Sequence, residues 1–255
     1  MTRAFGTIRQ EGFTLIELLT ALGIFLVICG AAFTLLNASQ QRYQTESQVL
    51  NSFQEARLGL DQIVRDVNDS GFPPPTFFSS GAPANSATSP FAWSPNYPGT
   101  RCQIGAGGCA TPGDFDLIIE TNDNPQDSAC ASNCPVSWIR YLLQGTTLMR
   151  GRAPKGVGAA DPAAAFIGPY APVPFVQNVV NNTAQPIFSY TCDTLTGPPS
   201  APLSCPNAAA ADNFPANIRD VIITLIVATP QPDATTGQQR LVVLNGRGRR
   251  INPNR

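Results

Sequence analysis

The chain contains no histidine. That removes the imidazole base, the Ser-His and Cys-His nucleophile pairs and the commonest nitrogen ligand for a metal. Charge is scarce as well: 13% of the 255 residues carry it, 16 basic against 17 acidic. A balance this close to neutral gives no global footprint for nucleic acid or for an anionic membrane surface. There is no phosphate-binding Walker loop and no dinucleotide glycine fingerprint. The cysteines do not stand in the paired C-x-x-C spacing of a zinc ribbon. No pattern marks the paired carboxylates that hydrolyse glycosides. The sequence therefore reads as non-enzymatic, with no cofactor and no metal.

What is plentiful is proline, 24 residues, and glycine, 21. Together with sparse charge they favour a loop-rich, β-containing head over a helical bundle. The length suits one to two domains. Of seven cysteines, Cys29 lies in an apolar run, where a thiol is a small hydrophobe. The other six are Cys102, Cys109, Cys130, Cys134, Cys192 and Cys205. An even number in a translocated head reads as disulfides. Sequence does not choose the connectivity. Nearest-neighbour pairs (102–109, 130–134, 192–205) are expected because each brackets a short polar loop.

One stretch organises the rest. Gly12-Phe13-Thr14-Leu15-Ile16-Glu17 opens an apolar run that reaches Leu36, and after Glu17 no charge occurs until Arg42. The 24 residues from Phe13 to Leu36, at ~1.5 Å per helical residue, span the ~30 Å hydrocarbon core of a bilayer. Glu17 is the one ionisable residue inside that span. A carboxylate in hydrocarbon costs roughly 2.5–3.5 kcal/mol even on lenient insertion scales, so it needs a partner. An ordinary secretory signal would also show basic residues (Arg3, Arg9) before an apolar stretch, with Ala31, Ala32 or Ala38 near the cut. A plain membrane anchor would show the same run. Neither has a use for Glu17.

The hexapeptide from Gly12 to Glu17 resembles the processing site of type IV prepilins and type II secretion pseudopilins. Those families have a short polar leader ending in Gly, a cut before Phe or Met, and Glu at the fifth mature position. The resemblance implies that a prepilin peptidase cuts between Gly12 and Phe13 and methylates the new N-terminus. Glu17 would then hold the N-terminal ammonium of a neighbouring subunit. Removing residues 1–12 would leave 14 basic and 16 acidic residues, a net charge of −2.

From Asn37 the chain turns polar but stays helix-compatible to Asp69. Val49, Phe53, Ala56, Leu60, Ile63 and Val67 recur at helical spacing, widened by Leu50 and Val64, with Arg57, Asp61, Arg65 and Asp69 on other faces. The stripe suits a coiled-coil seam or, in a pilin-like chain, a face docked on a sheet. Gly71 and Pro73-Pro74-Pro75 end it. Residues 13–70 thus read as one helix. It contains Gly23 and Gly30 but lacks the kinking proline of many major pilins. Arg65-Asp66-Val67 with Gly71-Phe72 is similar to the end of this helix in PilW-type minor pilins and J-type pseudopilins.

Residues 72–113 read as a long loop whose anchors are Phe77, Phe78, Phe91, Trp93 and Tyr97. Strands are expected at 115–120, 136–143 and 147–150. The last two form a hairpin about Gly145. That hairpin resembles the tyrosine strand, Gly turn and Leu…Arg strand of J-type pseudopilins. Residues 151–175 read as a loop, with short strands at 176–180 and 187–190. Residues 218–229 read as a covered central strand, paired with 240–244. The tail from Asn245, with Arg247, Arg249, Arg250 and Arg255, reads as exposed. Asp114, Asp116, Glu120, Asp123 and Asp127 lie close in sequence; Ca²⁺ ligation and a solvated acidic face are both open, without EF-hand spacing.

The expected architecture is α+β: a long N-terminal helix, half membrane and half amphipathic, on an antiparallel head with long disulfide-pinned loops. The expected units are a leader (1–12), a transmembrane and filament-core helix (13–36), an amphipathic helix (37–71) and a β-rich head (72–255). The resemblance implies a minor pilin or pseudopilin, single-pass in a bacterial inner membrane with its head in the periplasm, then in a filament. Its implied partners are other subunits, the prepilin peptidase, the inner-membrane assembly platform and, before assembly, the lipid bilayer. The other reading is a pilus-displayed binding module, an adhesin or DNA-uptake receptor.

Overall fold

A computed structural model describes residues 12–73, 91, 112–122, 124, 134–155, 165–192, 203–204, 217–233 and 236–251. Helix α1 runs without a break over Leu15–Asn68, 54 residues, or roughly 80 Å at ~1.5 Å per residue. It contains no proline, so its backbone ladder is uninterrupted. Asp69 closes it through its N–H to the Arg65 and Val67 carbonyls. Gly71 then takes φ 79°, which a Cβ would oppose.

The two halves of α1 differ as the hydropathy pattern requires. From Leu15 to Leu36 every residue but the half-buried Cys29 is exposed. This helix is long and apolar enough to cross a membrane. In the second half Ala56, Leu60, Ile63 and Val67 are buried, flanked by half-buried Val49, Phe53 and Val64. Leu50, expected to widen this stripe, points outward. Gly59 and Asp66 are buried in its place.

Two antiparallel sheets receive that stripe. The first has the order β1 (Asp116–Thr121), β2 (Ser137–Gln144), β3 (Thr147–Pro154) and β4 (Val173–Val176). Its β2–β3 hairpin turns at Gly145, φ 60°. The second joins β5 (Phe188–Cys192), β6 (Leu203–Ser204), β7 (Ile218–Ala228) and β8 (Leu241–Arg249) in the order β6-β5-β7-β8. Two seams link the sheets. The Asp114 carbonyl accepts from the Ile187 and Phe188 N–H groups, and Val180 N–H donates to the Ile226 carbonyl.

Period-two alternation sorts the first sheet. Leu117, Ile119, Ile139 and Tyr141 join Ile63 and Val67 in the main core. Ile118, Trp138 and Ala153 face the other way, under Phe166. Phe91, one of the expected loop anchors, is fully buried in the main core.

Two expectations are corrected. The stretch 151–175 is not all loop, since β3 continues to Pro154 and β4 begins at Val173. The last strand does not stop at 244: β8 extends to Arg249, so Arg247 and Arg249 belong to a sheet and not to a tail. The reason is contact with α1. A Cβ on Gly246 would lie 2.6 Å from a Leu60 methyl, and one on Gly248 would lie 2.4 Å from a Val67 methyl. These two glycines are the places where the helix meets the strand. Residues 1–11 and the loop 74–90 lie outside the described residues, as do Cys102, Cys109, Cys130 and Cys205. Cys134 and Cys192 are buried and disulfide-bonded, and Cys29 is a free thiol.

Candidate functional site

The N-terminal end of α1 is built by Thr14. Its backbone is extended (φ −76°, ψ 148°), as an N-cap requires. Its hydroxyl accepts from the Glu17 N–H at 3.4 Å and donates to Glu17 Oε2 at 2.8 Å, while the Thr14 N–H donates to the same oxygen at 3.0 Å. This reciprocal arrangement is a capping box, legible as Thr-x-x-Glu before an apolar run. It satisfies backbone donors that the first turn of a helix leaves without partners. Phe13, ahead of it, is 89% exposed. No cation of the described residues contacts Glu17, so its charge meets only neutral donors.

Three polar groups tie the head together. The first joins motifs that are far apart in sequence. Asp66 Oδ2 accepts from the Tyr141 hydroxyl at 2.5 Å and from Arg150 Nη2 at 2.8 Å; Arg150 Nε also donates to the Tyr141 oxygen at 2.9 Å. Gln62 holds the other Asp66 oxygen at 2.8 Å. Helix, β2 and β3 are thus joined by one buried carboxylate. Burial first, and then the negative charge of Asp66, pushes the Tyr141 phenol well above its usual range, so it stays a donor. The Arg65-Asp66-Val67 segment and the tyrosine–turn–arginine hairpin, read separately in the sequence, are here one contact.

The second group corrects the acidic cluster. Glu120 is fully buried, accepting from Trp138 Nε1 and from the Lys155 ammonium, each at 2.8 Å. Asp116 makes a two-pronged pair with Arg140 at 2.6 and 3.0 Å. These two carboxylates are committed to cations of their own chain. Asp123 and Asp127 lie outside the described residues. Among the described residues no group of three or more acidic or cysteine side chains is placed to hold a metal.

The third group is Asp220 on β7. It accepts from Arg247 at 2.6 Å and from Thr191 at 3.1 Å. Burial opposes its charge, yet Arg247, Thr191 and Arg219 outweigh it and hold the carboxyl below its usual range. Asp220 and Arg247 form a pair that only the β7–β8 register brings together.

Residues 8–33 match the family model of the prokaryotic N-terminal methylation motif. No curated protein sequence matches the chain. Among solved structures, the type IV-like pilin TTHA1219 from Thermus thermophilus aligns with 78% of this chain and 97% of its own. The TM-score is 0.38 at 10% identity. The chain thus carries a prokaryotic N-terminal methylation motif at the start of its first helix.

Proposed function

We propose that this protein is a structural subunit, a minor pilin or pseudopilin, of a type IV pilus or type II secretion filament. The observation that carries the reading is the methylation motif at 8–33 on a helix whose first half is apolar and bare. A prepilin peptidase cuts between Gly12 and Phe13 and methylates Phe13. The subunit waits in the inner membrane, with residues 13–36 in lipid and its head in the periplasm. An assembly platform lifts it, and the apolar halves of neighbouring helices bundle in the filament core. Gly30-Ala31-Ala32 lets a neighbour approach closely.

Glu17 then meets the N-terminal ammonium of an adjacent subunit. Cleavage creates that cation beside Thr14, and the carboxylate of the next subunit neutralises it. Losing one half of a buried pair costs about 3–5 kcal/mol, enough to fix axial register. Because it keeps Glu17, this subunit accepts a partner on that side, which suits a near-tip or shaft position over the capping one. Mass spectrometry of the N-terminal peptide from the native host tests the reading. A chain beginning with N-methylated Phe13 supports it; a chain beginning near Asn37–Gln40, or an intact Met1, removes it.

A further inference from the structure

The two sheets have four outer strands, and three of them are closed to pairing. Strand β6 has two residues. Strand β4 carries Pro174, and the N–H of Gln177 just beyond it is taken by Glu55. Strand β1 is covered by the chain leaving α1: Gly71 N–H donates to the Glu120 carbonyl and Asn122 N–H to the Phe72 carbonyl. Strand β8 is the exception. It is nine residues long and mostly uncharged.

Hydrogen bonds fix which of its backbone groups look outward. Arg240 and Arg250 both bond back to the β7 side, through Thr229 N–H and the Arg219 carbonyl. Even-numbered residues therefore face β7 and odd-numbered ones face out. At the far end Arg249 N–H is capped by the Asn68 side chain. The outward N–H and C=O groups of Leu241, Val243, Asn245 and Arg247 have no partner among the described residues. Their side chains share the sheet face away from α1. Leu241 is 60% and Val243 55% exposed, followed by the basic Arg247 and Arg249. A long, apolar, open edge is what natural sheets avoid unless another strand completes it.

We propose that β8 is a docking edge for an extended segment of a different protein, which adds as an antiparallel strand. The segment is acidic at its start, against Arg249 and Arg247, and apolar at its end, against Val243 and Leu241. A second copy is the poorer occupant. Leu60 and Val67 lie over Gly246 and Gly248, so helix and strand run the same way. An antiparallel β8–β8 pair would point the two apolar helices in opposite directions, and chains held in one membrane cannot form it.

The test uses the full chain in detergent micelles and a synthetic peptide of about nine residues, acidic at its first and third positions and valine at its seventh and ninth. Amide hydrogen exchange is read residue by residue. In the free chain Val242, Leu244 and Gly246 should be protected and Leu241, Val243 and Asn245 should exchange fast. Saturating peptide should slow the odd-numbered set at least tenfold; a scrambled peptide should not. Val243→Pro removes only an outward N–H and should abolish the effect with the even-numbered protection intact; Val243→Asp is the second probe. Unchanged odd-numbered amides at millimolar peptide, or protection surviving Val243→Pro, would overturn the proposal. Odd-numbered protection in the free chain that grows with protein concentration would also overturn it, in favour of a second copy. None of these readouts depends on cleavage before Phe13, so the edge and the filament role fail separately.

Discussion

Tyr141, Asp66 and Arg150 show how much one polar contact constrains here. The Tyr141 hydroxyl is buried and donates to a carboxylate that anchors helix to hairpin. Tyr141→Phe should cost about 1–2 kcal/mol, since Asp66 keeps its other donors. Asp66→Ala strips both partners and should cost roughly 3 kcal/mol. The two are read by thermal or denaturant unfolding in micelles. The phenol also sets a pH limit. Its folded pKa lies above the unfolded value of about 10, so its share of stability is complete below pH ~10 and is lost as pH rises further. The gap between wild type and Tyr141→Phe should therefore narrow above pH ~10. Asp220 has the opposite sign. Its folded pKa is lowered, so its contribution is present above pH ~4 and is lost as pH falls through the folded value. Arg247→Gln should be less stable than wild type at neutral pH, and the difference should close below pH ~4. A gap that stays constant with pH would mean that the pair is only a packing contact.

Helix α1 reaches the head through glycines. Gly246 and Gly248 of β8 lie under Leu60 and Val67, and a Cβ on Gly59 would lie 2.4 Å from a Val176 methyl on β4. Each marks a place where helix and sheet backbones approach more closely than a side chain permits. Gly248→Val should overpack the contact and cost about 1–3 kcal/mol, while leaving the apolar half of α1 untouched. Circular dichroism should show helix content retained as the unfolding midpoint falls. The same closeness explains why Leu50 turns outward while Gly59 and Asp66 turn in. The helix docks where its surface is flattest and where a carboxylate can reach Arg150, and this shifts the buried face away from Leu50.

The whole molecule has two parts: one half of α1 is an apolar, exposed rod, and the other half packs on the two sheets. The rod requires lipid, detergent or other rods. In the head Cys134 and Cys192 are disulfide-bonded, while Cys29 on the rod is a free thiol. Of seven cysteines, one should alkylate in the denatured, unreduced chain and all should after reduction; intact mass reads both. Under the proposed assembly, Glu17→Ala should leave the head's stability unchanged and the subunit in the membrane, but missing from sheared filaments. Its presence there in wild-type amount would remove Glu17 from the register mechanism.

Sequence alone determined the parts set by local chemistry. The membrane-length run, the Gly71 stop, the hairpin about Gly145 and the covered strand expected at 218–229 each follow from spacing between neighbours along the chain. Tertiary structure decided what depends on distant pairing. In the sequence Arg247 reads as part of a tail, since nothing within a few residues of it suggests Asp220, 27 residues away. In the sequence Glu120 stands with its acidic neighbours, because Lys155 and Trp138 come to it only through the pairing of β1 with β2 and the chain beyond β3. Nothing near Gly246 and Gly248 in the sequence shows that a helix from the other end of the chain lies across them. Local periodicity records which face of an element is apolar, while register and docking record which element comes to meet it.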